Sequence, residues 1–278
     1  MSLGFIGTAI ATVAIDALVL ERVFFKTKHF TLGKTSKKKP ITILHITDLH
    51  FRKSMSLKYL RLVQKIEEIN PDIILLSGDS IDQSGDTKPF EKFLRMLDSQ
   101  IPIVAIPGNH DYKADINMTN FKKMFKKMGG DLLINETKIY EINGQRLAIT
   151  GMDDMLNGDS NFEKAVADVG GEKNHLVLIH SPKHQEIIKN KISEINAKRP
   201  KNQQLNIFTF LAGHNHGGQV KLGPITPVLP PRSGNYVEGW YNDEKPYLYL
   251  SKGFGTSSMP VRFFARAEIT VFKYFTES

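Results

Sequence analysis

Seven candidate metal ligands and one further His-Asp pair fall in five short motifs along this chain. They are Asp48-Leu49-His50, Gly78-Asp79, Gly108-Asn109-His110-Asp111, Ile179-His180 and Gly213-His214-Asn215-His216. The donors are carboxylate, amide oxygen and imidazole; thiolate is excluded because the chain has no cysteine. That donor set suits Mn, Fe, Zn and similar divalent ions. Two such ions a few Å apart are a standard device for hydrolysing phosphate esters. Covalent alternatives lack their parts: there is no Gly-x-Ser-x-Gly elbow and no Walker-type Gly-x-x-x-x-Gly-Lys-Ser/Thr.

The motifs need elements that bring them together, and each follows an apolar, strand-like run. Ile41–Thr47 ends at Asp48, Asp72–Ser77 at Gly78-Asp79, and Ile101–Ile106 at Pro107-Gly108-Asn109. Leu176–Ile179 ends at His180, and Ile207–Ala212 at Gly213-His214. Near-continuous apolar runs suggest strands buried on both faces. Polar residues at the carboxyl ends of such strands converge on one rim of the sheet. The glycines permit tight turns and close backbone approach there. Taken singly, Asp-x-His and Gly-Asp say little, and a lone His180 reads first as a structural histidine. All five in order, each at a strand end, are a strong signal. His29, His45, His175 and His184 fit no motif and read as structural.

Over about residues 41–275 the pattern resembles the calcineurin-like metallophosphoesterase superfamily. The resemblance implies that Asp48, His50, Asp79 and His216 hold one metal, and Asp79, Asn109, His180 and His214 the other, with Asp79 bridging. It gives His110 the role of catalytic histidine and Asp111 that of the carboxylate orienting it. His110 would then protonate the leaving oxygen or hold its developing charge. The fold it implies is a four-layer α/β/β/α sandwich of two mixed sheets.

Amphipathic segments alternate with the strands. Leu57, Leu60, Val63, Ile66 and Ile69 mark one helix, stopped by Pro71. Phe90–Leu97, Met118–Met128 and Phe162–Val169 mark three more, the last two closed by Gly-Gly pairs. Lys189–Gln204 reads as a helix end and a mobile loop, and Pro224–Tyr241 as a Pro- and aromatic-rich loop beside the site. Arg232 in that loop is a candidate phosphate-binding residue, with a packed loop and a surface arginine the equal alternative. Ser251–Ser257 and Gly217-Gly218-Gln219 resemble segments of membrane-anchored bacterial members of the superfamily.

The amino terminus has its own composition. Leu3–Leu20 is apolar apart from Asp16, and is followed by Arg22, Lys26, Lys28, Lys34, Lys37, Lys38 and Lys39. Such a run approaches the length needed to cross a ~30 Å hydrocarbon core. No basic residue precedes it and no good small-x-small cleavage site follows, which favours a retained anchor over a signal peptide. The expected organisation is a hydrophobic anchor helix at 1–25, a basic linker at 26–40 and the catalytic domain at 41–278. The basic flank places that domain on the cytoplasmic side of a cell membrane by the positive-inside rule, an extracytoplasmic domain being the alternative. Residues 1–40 carry +5 of the chain's net +8, leaving +3 for the rest. A nucleic-acid enzyme more often carries its basic excess on the domain itself.

The expected activity is hydrolysis of a phosphomonoester, phosphodiester or pyrophosphate by two divalent metal ions (Mn, Fe or Zn), with a small or lipid-linked substrate favoured. A metal-binding scaffold on the same fold, or a nuclease, is the alternative.

Overall fold

In the computed structural model of the chain, residues 24–221, 226–227, 229–257 and 262–277 are described. The expected amino-terminal anchor helix lies outside them. Among the described residues, no helix is long and apolar enough to cross a membrane.

Among the described residues, twelve strands form two six-stranded mixed sheets. In chain order they are β1 Lys26–Leu32, β2 Ile41–Ile46, β3 Ile73–Ser77, β4 Ile103–Ile106, β5 Asp131–Leu132, β6 Glu136–Ile142, β7 Gln145–Gly151, β8 His175–Leu178, β9 Ile207–Ala212, β10 Gly239–Tyr241, β11 Tyr247–Leu250 and β12 Glu268–Tyr274. One sheet runs β1-β12-β2-β3-β4-β5 and the other β10-β11-β9-β8-β7-β6. Strands β2, β3 and β4 are parallel, as are β7, β8 and β9, so their carboxyl ends share a rim within each sheet.

The two-residue period of a strand assigns each face. Ile41, Ile43, Ile73, Leu75, Val104 and Ile106 point inward, onto Leu147, Ile149, Leu176 and Leu178 of the second sheet. Their neighbours Leu44, Ile46, Ile74, Leu76 and Ala105 point outward. There they meet Leu62 and Ile66 of α1 (Leu57–Ile69), Phe90 and Phe93 of α2 (Thr87–Leu94), and Phe121 and Phe125 of α4 (Met118–Lys127). Between the last two lies the single turn α3, Asn109–Lys113. The outer face of the second sheet, with Val177, Phe210 and Leu248, is covered by Phe162 of α5 (Phe162–Ala165) and Ile188 of α6 (His184–Lys198). Three apolar seams therefore separate helices, sheet, sheet and helices.

Two segments depart from the sequence reading. The stretch 26–40, expected to be a linker, contains β1, an edge strand paired in parallel with β12. Phe30 anchors it against Trp240, Tyr249 and Phe272. Lys28 pairs with the buried Glu268 at 2.9 Å. The expected helix end and loop at 189–204 is mostly helix: α6 runs to Lys198 and a 3₁₀ turn, Lys201–Gln203, follows. Asn196 closes this corner, its amide donating to the Leu205 carbonyl and its side-chain oxygen accepting the Leu205 N–H.

Candidate metal centre

All seven candidate ligands are buried and gather where the two sheets meet at the carboxyl ends of their strands. The first sheet delivers Asp48, His50, Asp79 and Asn109 after β2, β3 and β4. The second delivers His180, His214 and His216 after β8 and β9. Asp48, His50, Asp79, His214 and His216 all have φ between 49° and 75°. A non-glycine residue held there costs on the order of 1–3 kcal/mol, and such strain concentrates at functional sites. Glycine is required at two points where the loops touch. A Cβ on Gly213 would stand 2.1 Å from Thr47 Oγ1 and 2.4 Å from Asp48 Oδ2. One on Gly108 would stand 2.3 Å from Asp79 Oδ1.

The ligand atoms converge. Candidate donors of Asp48, His50 and His216 lie within 4.8 Å of one another, as do those of Asp48, Asp79 and His180. His50 Nε2 faces His216 Nε2 at 3.0 Å, and His214 Nδ1 faces His180 Nε2 at 3.3 Å. The opposite edges of two rings are held. His180 Nδ1 donates to the Ser77 carbonyl (2.9 Å) and His214 Nε2 donates to the Pro231 carbonyl (2.9 Å). In neutral rings these contacts leave His180 Nε2 and His214 Nδ1 as lone pairs aimed at each other. Asp79 Oδ2 lies 3.3 Å from His180 Nε2, and Asp48 Oδ1 lies 3.3 Å from His216 Nε2. Opposed lone pairs flanked by buried carboxylates need a cation, so this donor set fits divalent metal.

The charges agree. Burial alone pushes His180 down, but Asp79, Asp48 and Asp154 outweigh it and hold the imidazole up to about 10. Burial drives His214 down to about 4 and His216 well below its ordinary value, the latter helped by His50 and by Arg262. Rings that are neutral at physiological pH are ready to ligate.

The His110 ring lies beside His50, with ring centroids 4.6 Å apart. Its Nδ1 accepts the Gln83 N–H at 3.3 Å. A backbone N–H can only donate, so the neutral ring carries its proton on Nε2. Burial holds His110 down to about 4. Asp111 does not orient this ring, contrary to the sequence expectation. Its carboxylate accepts the N–H groups of Ile81 (2.8 Å) and Gly108 (2.8 Å), tying the loop after β3 to the loop after β4. Burial raises it to about 7, with Asp79 adding to the rise. The reason is geometric: α3 begins at Asn109, and a carboxylate at its third residue turns back onto the helix start.

Besides Asp79, a carboxylate that sequence reasoning missed lies near His110: Asp82. Its Oδ2 is 3.8 Å from His110 Nδ1 and 3.6 Å from His50 Nδ1. Burial would raise Asp82, but His50 and Ser84 outweigh it and hold it well below the usual carboxylate range. Asp82 follows Asp79 by three residues, a spacing that carried no signal of its own. Arg262 was also missed. It is fully buried, donates to the carbonyls of Gly255 and Ala265, and places Nη2 3.1 Å from His216 Nδ1. Arg232 comes near only through its backbone: its carbonyl accepts the Ser181 hydroxyl at 2.6 Å and its side chain is exposed. His45 is structural, bonded to Ser77 Oγ at 2.8 Å, although the Ser77 carbonyl is the one that holds His180.

Above the ligands opens a cleft of about 200 Å³. Lys113, Leu156, Asn157, Pro230 and Ser257 line it together with His110.

A seam of opposed imidazoles and carboxylates at the mouth of two packed sheets defines a metal-dependent phosphoric ester hydrolase. The chain belongs to the calcineurin-like phosphoesterases, whose family model matches residues 41–218. Among particular proteins, it is 28% identical over 244 residues to protein YpbG of Bacillus subtilis (strain 168), covering 87% of this chain and 84% of that protein. It is 27% identical over 236 residues to the metallophosphoesterase YkuE of the same organism, covering 83% of this chain and 77% of that protein. The solved structure of a dimetal phosphatase from Danio rerio aligns with a TM-score of 0.48 at 11% identity, covering 85% of this chain and all of that one.

Proposed function

We propose that the chain is a dinuclear phosphoesterase acting on a small or lipid-linked phosphoester. Asp48, His50, Asp79 and His216 hold one ion; Asp79, Asn109, His180 and His214 hold the other. Mn, Fe or Zn suits this donor set. The carrying observation is the His180–His214 contact at 3.3 Å, two lone pairs facing each other beside Asp79, with donors of Asp48, His50 and His216 converging within 4.8 Å of one another. When bound, the ions supply Lewis acidity toward phosphoryl oxygens and lower the pKa of a water.

The chain's own groups do the rest. His110, neutral and protonated on Nε2, donates to the leaving oxygen and holds its charge. Asp82 faces the outer edge of His50, its Oδ2 3.6 Å from His50 Nδ1, and steadies that ring electrostatically. Lys113 brings positive charge to the cleft wall, where Leu156 and Pro230 add apolar surface. A cleft of about 200 Å³ suits a phosphate with one compact substituent better than a polymer tracked over many residues. Residues 3–20 attach the domain to a cell membrane, with the domain on the cytoplasmic side, which would concentrate lipid-linked substrates near the site.

The test is turnover and elemental content of the full chain beside Asp79→Asn and His214→Ala. Both variants are expected to lose hydrolysis of a chromogenic phosphodiester together with bound metal. Parental activity and metal in both would refute the dinuclear reading. A panel of a lipid pyrophosphate in mixed micelles, nucleotides and DNA then ranks the substrates. Preferential cleavage of DNA, weakening steeply with salt, would select the nuclease alternative.

A further inference from the structure

The register of the first sheet fixes where the amino-terminal segment joins the domain. Lys26 of β1 lies opposite Glu268 of β12, and Thr270 of β12 lies opposite His45 of β2. β1 is parallel to β12, and β12 is antiparallel to β2. β1 therefore starts at the end of the sheet where β2 delivers Asp48, and runs away from it. The chain enters the domain at the rim of the metal cleft.

The contacts at that point lead directly to the cleft. The Phe25 ring packs on Phe254 with centroids 5.0 Å apart, and Lys58 Nζ lies 4.2 Å from the same ring. Phe254 sits between Gly253 and Gly255, which press on Asp48 and His50, and the same turn continues to Ser257 in the cleft wall. Phe24 lies beneath Arg61, 5.1 Å from guanidinium to ring.

Around this junction, large apolar side chains face solvent: Phe24 is 49% exposed, Leu57 71% and Phe264 65%. Leu57 directly precedes Lys58, and Phe264 lies three residues before Ala267, whose carbonyl accepts the Lys26 N–H. Lys26, Arg52, Lys53 and Arg61 are exposed along this rim, Arg52 lying 3.9 Å from Asp82. Exposed aromatic and leucine side chains among exposed basic residues match the interface of an anionic bilayer, where apolar burial and electrostatic attraction add.

We infer that this rim is a membrane-docking face, and that the metal cleft opens toward the lipid surface rather than away from it. The inference rests on the proposed attachment through residues 3–20, and adds to it which face of the domain is turned to the bilayer. A tether entering at the rim, followed by apolar and basic groups beside it, leaves the opposite end of the sandwich farthest from the membrane. It also makes headgroup phosphoesters at the bilayer surface the substrates within reach.

The test exploits the absence of native cysteine. Single cysteines are placed in the full chain by Leu57→Cys, Lys53→Cys and Phe264→Cys at the rim. Glu244→Cys serves as the control, in the loop before β11 at the opposite end. Each is labelled with an environment-sensitive fluorophore and reconstituted in phosphatidylcholine–phosphatidylglycerol vesicles containing brominated lipid. The expected result is quenching of the rim labels several-fold stronger than at position 244. Equal, weak quenching at both ends, in protein that floats with the vesicles, would overturn the docking face and leave the anchor standing. Failure of the full chain to float would overturn the anchor and the docking face with it, while leaving the metal reading untouched. Rim labels shielded without lipid, in a concentration-dependent way, would assign the face to a second copy of the chain and overturn the proposal.

Discussion

Replacing Gly213 by alanine isolates how tightly the metal loops are packed. The backbone at Gly213 lies outside the left-handed region, so alanine meets no conformational penalty there. Its Cβ would sit 2.1 Å from Thr47 Oγ1 and 2.4 Å from Asp48 Oδ2, where ordinary contact begins near 3.4 Å. One loop must move by about 1 Å. The moving parts are Thr47 and Asp48 on one side, and on the other the His214 N–H that donates to both Asp48 oxygens at 3.1 and 3.0 Å. A misplacement of about 1 Å costs on the order of 10²-fold in turnover. Overpacking of this kind costs about 1–3 kcal/mol of stability. For a chain of this size each kcal/mol lowers the melting temperature by roughly 2–4 °C. The assay pairs turnover of a chromogenic phosphodiester with elemental analysis and a melting curve. Gly144→Ala is the control: Gly144 has φ +69° and nothing within 4 Å of its Cβ, so that variant pays about 1 kcal/mol of backbone strain and keeps its metal. Parental metal content and turnover in Gly213→Ala would refute the reasoning.

Asp82→Asn is expected to lower turnover by about 10–100-fold with little change in melting, since it removes charge beside His50 and His110 rather than a packed side chain; stopped assays and melting curves check it. Asp111→Ala should chiefly destabilise, by about 1–3 kcal/mol for each backbone N–H left unpaired at Ile81 and Gly108, as read by urea unfolding. Burial lowers His175 to about 4 in the folded state against about 6.5 unfolded, so its contribution is intact above pH 6.5 and is lost as pH falls toward 4. Between pH 7 and 5 that loss is about 2 kcal/mol, and His175→Gln should flatten it in urea titrations at the two pH values. Removing metal with a chelator should lower the melting temperature, and restoring it should recover turnover, because ligands from both sheets are then left facing one another.

The convergence of the seven candidate ligands was legible because each lies at or just past the end of an apolar run. Ile43–Ile46, Ile73–Leu76 and Phe210–Ala212 are buried on both faces, and a strand of that kind can announce only its end. The helices at 57–69 and 118–127 were legible from their period. β1 was not: with Lys26, Lys28 and His29 at an edge, only Phe30 and Leu32 speak for the sheet, and its partner β12 lies far along the chain. α6 was hidden because it buries little beyond His184, Gln185 and Ile188, leaving a polar surface like that of a loop. The roles of Asp111 and Asp82 were invisible because both depend on how two loops cross, which no spacing encodes.

The place of β12 has a consequence in time. It is inserted between β1 and β2, so the first sheet has a gap beside its edge strand until residues 268–274 exist. At a synthesis rate of about 5–20 residues per second, β1 emerges roughly 10–50 seconds before the strand it pairs with. Through that interval β2 presents an open edge, and Ile41, Ile43 and Leu44, all fully buried in the finished domain, have no β12 beside them. An open apolar edge is a template for pairing with other chains. The nascent protein is therefore most exposed to misassembly just before the domain closes, and a ribosome that pauses late in the message would prolong that state.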